Sequence, residues 1–226
     1  MNRKKIYFCN AKIATMLENL SGKDFKSQFK ENKTLRLVTI SVSAVVVVTL
    51  GYFAYSKFIS EPRDVKSRDS YWSGLNYASM DSTDLAIEKL KKPAKDFDGK
   101  TGGENAQFVL ARQYMNKGEF KKALSELEDV DVNDTYVSIY TLGLQGDCKS
   151  ELGNYKEAKD LYMEAADKND NEKTSPEFLF KAALCAEELK DNKGAEELYV
   201  RIKENYLSFS QQKSIDKYIA RVKNKI

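Results

Sequence analysis

The chain has 226 residues, a formal net charge of +3 and no histidine. Without histidine there is no His-dependent triad, no His–Cys pair and none of the commonest metal ligand. Three cysteines without CxxC spacing offer neither a zinc site nor a thioredoxin-like pair, so no metal, no cofactor and no catalytic constellation are expected.

Charge is distributed unevenly. Residues 1–36 hold nine Lys or Arg against three acids, a net +6, which leaves −3 for the rest of the chain. A net-acidic remainder argues against nucleic acid as a ligand. The basic stretch is polar and weakly patterned; a short helix fits Lys12–Leu20, Met16 is an alternative start, and Cys9 has no structural role to play. It reads as an orientation signal that could also touch anionic lipid.

Leu37–Ser56, LVTISVSAVVVVTLGYFAYS, carry no charge. A helix of that length is about 30 Å long, which matches the hydrocarbon core of a bilayer. Ten of the residues are Leu, Ile, Val or Phe, worth roughly −3 to −6 kcal/mol on the biological insertion scale. In lipid every backbone group must be paired internally, so helix is the form available to a single span. A buried core helix rarely lacks charge for so long, and a cleaved signal peptide would be shorter, earlier and followed by a small-x-small site. The positive-inside rule then places residues 1–36 in the cytoplasm and residues 57–226 beyond the membrane. Tyr52, Phe53, Tyr55 and Phe58 fall at the far interface, and Thr39 and Ser43 lie four apart on one face as a candidate contact with another span.

After Glu61-Pro62 the chain repeats itself. Residues 104–137 superpose on 139–172 with an offset of 35, pairing Ala111 with Gly146, Gly118 with Gly153, Phe120 with Tyr155, Ala123 with Ala158, and Leu127 with Tyr162. This pattern resembles the tetratricopeptide repeat, a helical hairpin of about 34 residues with small residues at positions 8 and 20 and Gly at 15. The resemblance implies close helix crossing at the small residues and a left-handed turn at the Gly. Gln145 and Lys149 depart from the pattern, and neither unit has the usual late proline. Weaker copies flank the pair: 176–209, with Ala183, Ala195, Tyr199 and Ile202 in place, and about 67–100, with Gly74, Tyr77, Ala86 and Leu90. In the upstream copy Pro93 is expected to end the second helix, and DGKTGG (98–103) reads as a flexible link, since no strand or spacing supports a phosphate loop there. Residues 210–226 open at a capping Ser210 and place Ile215, Tyr218, Ile219 and Val222 on one face, as a terminal cap requires. The expected fold is all-α: one transmembrane helix, then an α-solenoid of about four hairpins and a capping helix.

Cys148 and Cys185 occupy the same position in consecutive repeats, and neighbouring helices hold such positions too far apart for a disulfide, so both are expected as buried thiols. The acidic pairs Glu187-Glu188 and Glu196-Glu197 read as solvated faces. What remains is a groove. In this repeat family positions 2, 5, 9, 12 and 13 line the concave surface, here Asn105, Phe108, Arg112, Met115 and Asn116, then Tyr140, Gly143, Asp147, Ser150 and Glu151, then Glu177, Phe180, Leu184, Glu187 and Glu188. Phe108, Arg112, Met115, Tyr140, Asp147, Glu151, Phe180 and Leu184 are the candidate partner-binding residues, with packing against the next hairpin as the rival reading for Phe108, Phe180 and Leu184. Phe108, Arg112 and Glu177 do not match the basic clamp of cytosolic co-chaperones.

A basic cytoplasmic tail (1–36), one span (37–56) and a repeat solenoid (57–226) resemble the YfgM-type proteins of Gram-negative inner membranes. The resemblance implies a single-pass, non-catalytic adaptor with its bulk in the periplasm, ancillary to the Sec translocon. Its partners would be the translocon, a PpiD-like periplasmic chaperone and emerging polypeptides. The alternative is a scaffold for another envelope machine serving secretion, division or wall synthesis; an enzyme with an unrecognised site is the third reading.

Overall fold

The computed structural model describes residues 27, 29–132 and 134–225. The expected helix over Lys12–Leu20, with Cys9 and Met16, lies outside the described residues. The chain divides into two compact units, one ending at Glu61 and the other beginning at Pro62.

In the first unit α1 spans Lys33–Tyr55 and is followed by a π-helical turn, Ser56–Ser60. The apolar side chains of α1 point outward: Val47 is 68% exposed, Leu50 65% and Phe53 66%. One helix among the described residues is thus long and apolar enough to cross a membrane. Thr49 bends its hydroxyl back to the carbonyls of Val45 and Val46, 2.9 Å from each, so this polar group needs no water.

The second unit is helical throughout, with no strand among the described residues. Its helices are α2 (Glu61–Ser79), α3 (Thr83–Asp96), α4 (Thr101–Asn116), α5 (Phe120–Glu128), α6 (Thr135–Glu151) and α7 (Tyr155–Asp167). They continue as α8 (Ser175–Glu188), α9 (Asn192–Asn205), α10 (Leu207–Lys213) and α11 (Ile215–Lys223). Four hairpins, α2/α3 to α8/α9, turn in the same way. Each passes through one left-handed residue, Asp81 (φ 54), Gly118 (φ 73), Gly153 (φ 79) or Lys190 (φ 62). The next amide then reaches back five residues: Ser82 to Tyr77, Glu119 to Tyr114, Asn154 to Lys149, Asp191 to Ala186, all at 2.8–2.9 Å. That six-to-one closure is the Schellman motif, and it satisfies carbonyls that the helix end would leave unpaired. Only two of the four turns have the glycine that the geometry favours, which is why the outer copies are faint in sequence.

Beyond the turns the hairpins cross where side chains are small. Ala86, Ala123, Ala158 and Ala195 have no exposed surface. Gly146 faces the Tyr162 ring, which a Cβ would approach to 2.7 Å. The layers between hairpins form two apolar clusters, one from Ala86 to Cys148 around Leu90, Leu110 and Leu127, the other from Ile139 to Val222 around Phe178, Tyr199 and Ile202.

Three local expectations are corrected. DGKTGG is not a free link: α4 begins at Thr101, and Gly102 and Gly103 are buried in it. A Cβ on Gly102 would overlap the Ser67 carbonyl, and one on Gly103 the Phe97 carbonyl, so the glycines mark backbone contact rather than freedom. Pro93 does not end α3; the helix runs to Asp96 and closes with the Phe97 amide on the Pro93 carbonyl at 3.1 Å. Its ring is buried, which offsets part of the helix penalty of proline. Ser210 does not open the last helix either; it is buried inside α10, and the break comes at Ser214, which is left-handed at φ 55. The apolar face of α11 is as expected, with Ile215, Ile219 and Val222 buried.

Candidate functional site

The first helices of consecutive hairpins, α4, α6 and α8, line one face together. Their shared face carries two neighbouring clefts. One, of about 410 Å³, gathers Phe108 and Arg112 from α4, Tyr140, Gly143, Leu144 and Asp147 from α6, and Glu177, Phe178 and Lys181 from α8. The other, of about 520 Å³, shares Asp147 and Lys181 and adds Tyr162, Leu184, Cys185, Glu187, Arg221 and Lys225 among its walls.

Between the clefts stands a polar rung. Lys181 Nζ donates to both oxygens of Asp147, at 2.8 and 3.1 Å, and the Tyr162 hydroxyl donates to Oδ1 at 2.6 Å. The ammonium also lies over the rings of Tyr162 and Phe178, 5.6 and 5.7 Å from their centres. Burial pushes the Tyr162 phenol up, and the Asp147 charge pushes it further, so it remains a donor at any ordinary pH. A second rung closes the far end, where Glu187 accepts from Tyr199 at 2.9 Å, from Arg221, and from Lys225 at 3.4 Å. Burial alone would push the Glu187 carboxyl up, but the Arg221 and Tyr199 hydrogen bonds and the Arg221 charge outweigh it and hold it below the usual carboxylate range. Cys148 and Cys185 are buried thiols not bonded to each other; burial raises both, Cys148 to about 11.

The residues singled out from sequence divide by environment. Phe108, Arg112, Tyr140 and Asp147 meet in the first cleft, and Leu184, 37% exposed, lines the second. Met115 packs on the core, and Phe180 belongs to an aromatic cluster with Tyr199, Phe209 and Tyr218 at 5.0–6.3 Å. Glu151 is exposed and lines neither cleft. On α1, Thr39 is half-buried and Ser43 exposed. Lys181 and Phe178 escaped the sequence reading because they fall outside the generic groove positions. The usable signal was charge: Asp147 and Lys181, Asp167 and Arg201, and Glu187 and Arg221 are opposite charges 34 residues apart, and each is an ion pair.

Residues 177–206, which cover most of α8 and α9, match the family model of the tetratricopeptide repeat. The unit folds as a helical repeat of that type. A crystal structure of MamA superposes with a TM-score of 0.51 at 20% identity, covering 67% of this chain and 93% of that one. The apo form of RapI superposes with a TM-score of 0.54 at 15% identity, covering 88% and 72%. At these identities the likeness is one of fold, a fold that usually mediates protein interactions. No curated protein matches the chain in sequence.

Proposed function

We propose that the protein is a non-catalytic adaptor, held in a membrane by α1, that receives segments of other proteins on the shared face of α4, α6 and α8. The observation that carries this reading is the 410 Å³ cleft, open to solvent, with an apolar floor and a charged rim. The two ionic rungs of the clefts are mutually paired, Asp147 with Lys181 and Glu187 with Arg221, which is the wiring of a recognition surface rather than of a poised base or nucleophile.

The charge asymmetry supports a cytoplasmic basic tail and a periplasmic solenoid. The order of anchor and repeats, similar to the YfgM-type proteins, supports an ancillary role at the Sec translocon, beside a PpiD-like chaperone and emerging polypeptides. Anchoring strengthens weak contacts by raising the effective concentration of membrane partners. Affinity purification of the full chain from cross-linked membranes tests this. Recovery of translocon components is expected; recovery of a division or wall-synthesis machine instead would replace the translocon with that scaffold role, and recovery of no protein would refute the adaptor.

A further inference from the structure

The first helices of the three best-formed hairpins carry Phe108, Gly143 and Phe180 at equivalent positions, so the middle one lacks the ring its neighbours have. Phe178 reaches over from α8 instead and lies against the Gly143 backbone, where a Cβ would overlap its ring. That ring is 2% exposed, stacked at 15° on Tyr162 and edge-on to Tyr140. Phe178 thus closes the back of the 410 Å³ cleft, and Phe108, Tyr140 and Leu144 are its partly exposed apolar walls.

Its rim has two charges left over. Asp147 and Lys181 satisfy one another, but Arg112 on α4 and Glu177 on α8 are exposed and make no ion pair among the described residues. An occupant that spans the cleft has to meet one cation and one anion, with the apolar seat between them.

We propose that this cleft binds an extended polypeptide segment in which a large apolar ring is flanked by an acidic residue on one side and a basic residue on the other. The ring packs between the partly exposed Phe108, Tyr140 and Leu144, the acid faces Arg112 and the base faces Glu177. Ring burial supplies most of the affinity, and the two charges supply selectivity. The inference rests on the adaptor reading and names the chemistry of its partner.

End-labelled peptides test it by fluorescence anisotropy with the full chain in mild detergent. The probes are Gly-Asp-Gly-Phe-Gly-Lys-Gly, its all-acidic form with both charged residues Asp, its all-basic form with both Lys, and a form with Phe replaced by Ala. The mixed-charge peptide should bind roughly tenfold tighter than the Ala form and about threefold tighter than either single-charge form. Arg112→Glu should shift preference to the all-basic peptide, and Glu177→Lys to the all-acidic one; both side chains are exposed, so neither change reaches the core. Binding indifferent to the ring, or preferences unmoved by the two substitutions, would overturn the proposal. If that happens while membrane purification still yields partners, this chemistry is wrong and the adaptor reading stands; if purification also yields nothing, both fall.

Discussion

Lys181 lies 2.8 Å from Asp147 across the face between adjacent hairpins, and the two are 34 residues apart, one repeat length. The pair is partly exposed, so its ionic attraction is worth at most about 1 kcal/mol. Asp147 has a second duty that Lys181 does not: it accepts from the buried Tyr162 hydroxyl. Asp147→Ala should therefore destabilise residues 62–226 by about 1–3 kcal/mol, since it orphans a buried donor, and Lys181→Ala by about 1 kcal/mol or less. Urea unfolding of the two variants checks the order; equal losses would mean that the hydroxyl is not held by Asp147.

Lys190 occupies the left-handed turn position that glycine fills at 118 and 153. A side chain there costs about 1–2 kcal/mol of local strain, partly offset by the extra freedom glycine has when unfolded. Lys190→Gly should raise stability by about 0.5–1 kcal/mol, and Gly153→Ala should lower it by about 1 kcal/mol. Thermal unfolding reads both, and opposite signs are required.

Gly102 touches backbone, the Ser67 carbonyl, which cannot swing aside as a side-chain tip would. Its amide also donates to Ser67 Oγ at 3.1 Å. Gly102→Ala should cost about 1–3 kcal/mol by forcing α2 and α4 apart, whereas Gly99→Ala, with open space around it and φ 69, should pay only the turn strain. A free link would tolerate both equally.

The repeat register was legible because its signals are chemical: Gly118 and Gly153 at the turns, and Ala123, Ala158 and Ala195 at the crossings. Asp81 and Lys190 hide the same turn, because the backbone geometry survives without the residue that prefers it. The groove was read by position alone. That selected Phe108, Arg112, Tyr140 and Asp147, which line one cleft, and also Phe180, whose ring packs with Tyr199, Phe209 and Tyr218. Phe178 needed the third dimension, since its place in the cleft follows from the missing side chain at Gly143 on a different helix, whereas Lys181 was marked by its charge one repeat from Asp147.

Two groups give opposite pH dependences. Glu187 binds its proton less readily folded than unfolded, so the stability it contributes is present above the ordinary carboxylate pKa near 4.3. It is lost as pH falls through the depressed folded value. In acid titrations wild type should lose its advantage over Glu187→Gln below that range; a constant difference at all pH values would contradict the assignment. Cys148 is raised to about 11, so its contribution is present below the ordinary thiol pKa and is lost as pH rises from there through the raised folded value. Both Cys148 and Cys185 should resist thiol reagents at pH 7 until denaturant is added.

The most direct test of the adaptor account is site-specific photo-cross-linking in intact membranes. A photoreactive residue at Leu184, exposed on the groove side of α8, is compared with one at Lys121 or Asp160, exposed on the second helices α5 and α7. The account predicts protein adducts from position 184, translocon or chaperone components among them, and few or none from 121 and 160. Adducts from 121 or 160 with none from 184 would contradict it.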